Sequence, residues 1–235
     1  MAVFSKSYFR EYVSANNPIR AMARRWFSGV ILPGPVRRLL RALPPGCLAL
    51  DVGCGTGRLL AFVEATMSDV ATVGVDIGEP PEFHAKAGFA RASAFHLPFP
   101  DNSFDVVFCS HVIEHLPDPQ AVLTELSRVC NAGGYVYVET PSARSILAFL
   151  GGRFWDDPTH VRPYSPAALR WLGEQIQMED IRCGYRRSVA AIILGIPYAI
   201  VGSLLRDKQA TSFFSASAFG FNAYLLARKC KLRTR

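Results

Sequence analysis

The segment LALDVGCGTGRLL, Leu48 to Leu60, constrains the fold more than any other. A short apolar run ends in Asp51 and is followed by glycines at 53, 55 and 57. Helical periodicity begins directly afterwards, with Leu59, Leu60, Phe62, Val63 and Met67. A buried strand that turns through glycines into a helix opens an α/β unit. Glycine lets the backbone take positive φ and approach a ligand without a Cβ in the way. The spacing is GxGxG, whereas the dinucleotide fingerprint GxGxxG sets a pyrophosphate on a helix N-terminus. Asp51 at the mouth of the turn would repel phosphates and suits a cationic ligand.

The chain repeats this alternation. ATVGVD (71–76), FARAS (89–93), SFDVVFCS (103–110) and YVYVET (135–140) read as strands. PEFHAKAG (81–88) reads as a short helix ending at Gly88. A longer helix is expected over 118–134, with Val122, Leu123, Leu126 and Val129 on one face and Gly133 or Gly134 as the stop. Ser165 and Pro166 start a helix as N-cap and first residue. IRCGYRR (181–187) and GFNAYLLARK (220–229) are the last strand candidates. Strands alternating with helices imply a parallel sheet covered on both faces, with ligands at the carboxyl ends of the strands. Ahead of this unit, residues 4–43 read as two helical pieces broken by the Pro-Gly-Pro at 33–35. The expected organisation is an N-terminal helical cap, 1–45, followed by one domain, 46–235.

Composition narrows the function classes. Half of the 235 residues are hydrophobic and 19% are charged, enough for a sizeable core. The six cysteines form no CxxC pair, which argues against a zinc site and against a secreted disulfide framework. The net charge of +7 is unevenly placed. Residues 1–45 carry eight Lys/Arg against one acid, and residues 228–235 carry five against none. Residues 46–227 carry thirteen bases against eighteen acids. Basic ends on an acidic body suit anionic surfaces, but no aromatic-basic RNA-binding pattern accompanies them. The first residues lack the apolar core of a signal peptide. The stretch Ser188–Leu205 is uncharged but contains Gly195, Pro197 and Gly202, and its 18 residues are borderline for a bilayer span.

Taken in order, DVGCGTG, GVD, LPFPDNSFDVV, EHLPDP and ELSRVCNAGG resemble a class I, Rossmann-like S-adenosylmethionine-dependent methyltransferase. The likeness is to the broad group that includes small-molecule and quinone-type enzymes, and it covers residues 46–185 plus the last strand. It implies a doubly wound α/β sheet of seven strands in the order 3-2-1-4-5-7-6, with strand 7 antiparallel. It implies S-adenosylmethionine as cofactor. Gly53, Gly55 and Gly57 would cradle its methionyl and ribose portion, and Asp51 would face its amino end. Asp76 would accept the ribose hydroxyls and Ile77 would lie on the adenine. Relatives often carry an Asp before Ala-x-x-Leu-Pro-Phe to hold the adenine amino group. Here Ser93 stands there, so Ser93, or backbone at Ala94 and Phe95, takes that contact. Ser110 ends strand four, where donor and acceptor meet.

Methyl transfer from a sulfonium is an in-line displacement governed by positioning, with a base needed when the acceptor is a hydroxyl. His111, His115 and His160 are the catalytic candidates, with Arg162 and Tyr164 able to orient an acceptor. A metal would require Glu114, His115 and Asp118 to converge, and none is expected. The apolar insertion at about 188–216, between strands 6 and 7, fits a flap over an apolar acceptor or against a membrane, or else a dimer interface or extra core packing. The expected function is methyl transfer to a hydroxyl or carbon of a small or lipid-linked acceptor. The protein would be cytoplasmic, with peripheral membrane contact open and no nucleic-acid partner. The alternative is a catalytically silent relative that serves as a scaffold. An NAD or nucleotide-sugar dehydrogenase is disfavoured by GxGxG, by Asp51 and by the lack of a YxxxK pair.

Overall fold

The computed structural model describes residues 32–67, 69–79, 88–147, 154–186 and 221–230. Seven strands make one sheet: β1 (Cys47–Val52), β2 (Val70–Asp76), β3 (Gly88–Arg91), β4 (Phe104–Ser110), β5 (Cys130–Pro141), β6 (Glu179–Tyr185) and β7 (Asn222–Arg228). Their order is β3-β2-β1-β4-β5-β7-β6. Strands β1 to β5 pair in parallel, and β7 runs antiparallel to both β5 and β6. The expected topology is therefore the observed one.

Among the described residues, four α-helices flank the sheet: α1 (Gly34–Ala42), α2 (Arg58–Thr66), α3 (Pro119–Val129) and α4 (Pro166–Gln175). Side chains alternate across a strand, so neighbouring residues feed opposite cores. Leu50, Val52, Val107, Cys109, Val136 and Val138 pack with Val122, Leu123 and Leu126 of α3 and Leu169 and Leu172 of α4. Ala49, Val106, Phe108 and Tyr137 pack on the other side with Val36 and Leu40 of α1 and Leu59 and Val63 of α2. Both faces of the central strands are thus buried, which is why they read as continuous apolar runs.

Three boundaries differ from expectation. The Pro-Gly-Pro at 33–35 opens α1, with Pro33 as its N-cap and a proline in the first turn, where a missing N–H costs nothing. Helix α3 stops at Val129, short of Gly133. Gly133, at φ +82°, instead bends the chain against the end of β7, where its N–H donates to Lys229 O at 3.0 Å and Lys229 N–H returns to Gly134 O at 2.9 Å. Those bonds draw Cys130 onward into β5. Gly88 is the first residue of β3, while the helix expected ahead of it lies outside the described residues, as do most of the N-terminal cap and the 188–216 insertion. No helix among the described residues is long and apolar enough to cross a membrane.

Candidate functional site

The carboxyl ends of β1, β2, β4 and β5 lie side by side, and each delivers polar groups to the same edge of the sheet. Beyond β1, Gly53, Gly55 and Gly57 all have positive φ, and Gly57 N-caps α2. At Gly53 (φ +77°) a Cβ would come within 2.2 Å of Val112 Cγ2. The glycine thus lets the turn after β4 lie directly on the loop after β1. Asp76, ending β2, braces that loop. Its Oδ2 accepts from Gly55 N–H at 2.8 Å and its Oδ1 from Gly78 N–H at 2.9 Å.

Asp51 sits in β1 beside Gly74 of β2 and Phe108 of β4 and is only 2% exposed. No hydrogen-bond donor of the described residues reaches its carboxyl group. Burial, reinforced by the charge of Asp76, pushes its pKa up to about 7. Ile77 follows Asp76 and is 49% exposed, an unusual position for isoleucine. Ser93 and His96 close a turn in which Ser93 Oγ accepts from Phe95 N–H at 3.3 Å. The serine oxygen thus braces the turn while keeping its own O–H and a second lone pair, and Ala94 and Phe95 carry the crest.

That turn and the Leu97–Asn102 loop behind it are anchored by a pair the sequence reading passed over. Arg128 of α3 meets Glu125 through two hydrogen bonds of 2.8 and 2.9 Å and also reaches Asp101 Oδ1, Phe99 O and Leu97 O. Glu125 in turn accepts from Leu97 N–H at 2.7 Å. The visible signal was an acid and an arginine at i,i+3 on one helix.

The three histidines divide between two clusters. His111 has φ +57° and its side chain is 48% exposed. Its Nδ1 lies 3.4 Å from Glu114 Oε1 and its Nε2 lies 3.7 Å from Glu139 Oε1. Burial works to lower its pKa, but hydrogen bonding and charge from Glu114 and Glu139 outweigh it and carry the imidazole up to about 9. Placed between two carboxylates, the ring holds its proton. Glu139 is buried among the Tyr137 hydroxyl, Asn222 Nδ2 at 2.7 Å and Arg186 Nε at 3.2 Å. The Arg186 contact is an ion pair by distance without hydrogen-bond alignment. Burial opposes ionisation of Glu139, yet Arg186 and then His111 and Tyr137 hold its pKa down, to about 2.

His115 and His160 form the second cluster, with ring centroids 4.7 Å apart. Burial lowers the His115 pKa, Glu114 opposes this and His160 adds to it. Loop 157–162 is bonded to the turn after β4 by Val161 N–H to Glu114 O at 2.7 Å, Thr159 Oγ1 to His115 Nδ1 at 2.7 Å, and Arg162 Nη2 to Pro117 O at 2.7 Å. Asp118 does not join them: its Oδ1 caps α3 by accepting from Ala121 N–H at 3.0 Å. Tyr164 is buried at the end of this loop. Glu139, Arg186 and Asn222 carried no signal by spacing, because strands and loops far apart in the chain bring them together.

The family described as methyltransferase domain matches residues 22–182, more than half of the chain. The chain belongs to the methyltransferase domain family. A 2-methyl-6-phytyl-1,4-hydroquinone methyltransferase of Synechocystis is 37% identical over 128 residues, 51% of this chain and 39% of that protein. A demethylmenaquinone methyltransferase of Bacillus licheniformis is 32% identical over 119 residues, 47% of this chain and 51% of that protein. The chain thus spans about half or less of the length of these relatives. Among solved structures, a SAM-dependent methyltransferase from Archaeoglobus fulgidus aligns over 95% of this chain and 98% of its own, with a TM-score of 0.58 and 20% identity, a likeness of fold. The methyltransferase domain family uses S-adenosylmethionine, and the residues present fit that ligand. A buried carboxyl that accepts no hydrogen bond from the described residues precedes a loop of three positive-φ glycines, and a second carboxylate stands at the next strand end.

Proposed function

We propose that this chain moves a methyl group from S-adenosylmethionine to a hydroxyl or carbon of a small, apolar acceptor. The observation that carries the reading is Asp51, a buried acid that no donor of the described residues reaches, at the mouth of a glycine loop. S-adenosylmethionine supplies a methyl on a positively charged sulfur and carries an amino group, so it brings the cations that such a carboxyl lacks. Asp76 keeps lone pairs on both oxygens after accepting one N–H on each, which suits two vicinal ribose hydroxyls. Ile77 offers an apolar platform for the adenine. Ser93 Oγ, which keeps its O–H and a lone pair beside the bond from Phe95 N–H, and backbone at Ala94 and Phe95 are assigned the adenine edge. Gly53, Gly55, Gly57 and Ser110 complete the cofactor contacts.

With both ring nitrogens turned to carboxylates, His111 is assigned as a charged positioning group beside the acceptor rather than as a base. His115 and His160 stand as the groups able to take a proton from a hydroxyl. The apolar character of the acceptor is supported by two relatives named for a phytyl hydroquinone and for demethylmenaquinone. It is supported also by the uncharged stretch 188–205. Peripheral membrane contact follows from that stretch and the basic ends. Flotation with anionic liposomes should then carry the intact chain upward and leave a 188–216 deletion behind. Equal recovery of both in the soluble fraction would reject the contact.

The test of the whole reading is calorimetric titration with S-adenosylhomocysteine. Wild type should bind, and Asp76→Ala should bind about tenfold more weakly or worse, the scale of a lost hydrogen bond to a charged group. Absence of binding by the folded wild type would overturn it and favour a silent scaffold.

A further inference from the structure

The loop after β5 meets the turn after β4 at His115, and the neighbours of that ring fix where its hydrogen sits. Asp157 Oδ1 accepts from Thr159 N–H at 2.9 Å and from the Thr159 hydroxyl at 2.6 Å. A threonine hydroxyl has one hydrogen, and the carboxylate takes it. Toward His115 Nδ1, 2.7 Å away, Thr159 Oγ1 therefore acts only as an acceptor. The ring hydrogen is on Nδ1, which assigns the lone pair of the neutral imidazole to Nε2. In water a neutral imidazole side chain prefers the reverse, with its hydrogen on Nε2. The neutral ring is also the resting form, because burial, which outweighs the charge of Glu114, lowers the His115 pKa.

The other two histidines of this edge are differently placed. His160 Nδ1 lies 2.6 Å from Phe154 O, a group that only accepts, so its lone pair is on Nε2 as well. That Nε2 lies 3.9 Å from Asp157 Oδ2, and the ring is 13% exposed beneath Phe154, 4.4 Å between centroids. His160 thus presents its lone pair to an acid of its own loop. His111 lies between Glu114 and Glu139 and already holds its proton. His115 is the remaining ring, and its bare nitrogen is chosen by a hydroxyl and an acid from another loop.

We propose that Thr159 and Asp157 are positioning residues that hold His115 with its lone pair on Nε2, and that this nitrogen takes the proton of an acceptor hydroxyl. The base role rests on the methyl-transfer reading, whereas the tautomer does not. An acceptor oxygen that gains the methyl gives its proton to Nε2, and the electron pair of the broken sulfur–methyl bond stays on the departing thioether. The imidazolium so formed is offset by Glu114 and Asp157, the two acids whose charge favours it. An acid behind a catalytic histidine serves the same end elsewhere, and here a hydroxyl is interposed. The acceptor class is then a hydroxyl compound, methylated on oxygen rather than on carbon.

The test uses the full chain labelled with nitrogen-15 in histidine. At neutral pH the ring correlations of His115, assigned by their loss in His115→Gln, should show the hydrogen on Nδ1. Thr159→Val, close in shape but without the hydroxyl, should move the tautomer ratio about five- to tenfold toward Nε2–H, the scale of one hydrogen bond. Thr159→Ser should keep the wild-type pattern, which a role in packing alone would not predict. Diethyl pyrocarbonate acylates the bare nitrogen of a neutral imidazole. Read by mass spectrometry, it should react at His115 in wild type and several-fold more slowly in Thr159→Val. Hydrogen on Nε2 in folded wild type, or an unchanged ratio in Thr159→Val, would overturn the positioning. No acylation of His115 in folded wild type would overturn the base. S-adenosylhomocysteine should bind wild type and Thr159→Val alike by calorimetry. Folded wild type with the assigned tautomer but no such binding would overturn the methyl-transfer reading, and the base with it, but not the positioning.

Discussion

A carboxyl group with a pKa near 7 in a protein's interior is costly to ionise, and among the described residues no donor offsets that cost at Asp51. Its folded pKa stands above its unfolded value of 3.8. As pH rises from about 4 to about 7, the unfolded state therefore gives up the proton and the folded state keeps it. Stability falls across that window and levels off above it. Asp51→Asn should raise the melting temperature of the free protein at pH 8, by a few kcal/mol of stability at most, and by much less at pH 4.5. The same substitution should weaken S-adenosylhomocysteine binding, and wild-type affinity should itself decline as pH falls through 7. Thermal melts and titrations at several pH values check both, and a flat response in each would remove Asp51 from the site. Gly53 permits a second test at this scale. Gly53→Ala meets Val112 at 2.2 Å and is held at φ +77°, so it should cost about 2–4 kcal/mol in chemical denaturation. Val112→Ala in the same chain should recover only part, because it relieves the clash and leaves the backbone strain.

Elements that bury apolar residues on both faces were legible in the sequence, and those shaped by distant partners were not. Strands β1 and β4 announced themselves as short apolar runs, and the loop after β1 through its glycines. The end of α3 was misplaced because Gly133 reads as a helix stop, whereas its positive φ serves a turn against Lys229 of another segment. The LPFPDNS motif carried a family likeness but no local meaning. The structure supplies one: the loop is held by Arg128, which binds an acid and two carbonyls of the loop as well as Glu125. Arg128→Ala should cost about 2–4 kcal/mol by loss of several hydrogen bonds to a charged group, and should loosen the 93–96 turn. Hydrogen exchange at Phe95 and Leu97 would report the loosening. Protection equal to wild type would mean the loop holds its shape without the arginine. Arg128→Lys should recover little, since one ammonium cannot reproduce the fork.

Across the whole molecule, the polar groups at the sheet's carboxyl edge do more than line a site. Glu139 on β5 joins Asn222 on β7, Arg186 just after β6 and His111 after β4, so one carboxylate couples four segments that are far apart in sequence. Strand β7 runs against the parallel core and β6 pairs with it beyond, and this buried link fastens their open end next to the acceptor side. Glu139 titrates at about 2 in the folded chain, below the ordinary 4.5. Its contribution to stability is therefore fully present above about pH 4.5 and is lost as pH falls toward 2. Arg186→Met removes the nearest cation and leaves a buried carboxylate short of a partner, a change that typically costs about 3–5 kcal/mol at neutral pH. The deficit should shrink on acidification, because the variant's Glu139 can take up a proton that the wild-type residue refuses. Arg186→Met/Glu139→Gln should recover much of the loss at pH 7, since a neutral amide needs no counter-charge. Denaturant melts of the three proteins at pH 7 and pH 4 decide the matter. Were the single variant equally destabilised at both pH values and not helped by Glu139→Gln, Arg186 would be acting through packing, and the coupling of the β6–β7 edge to the site would lie elsewhere.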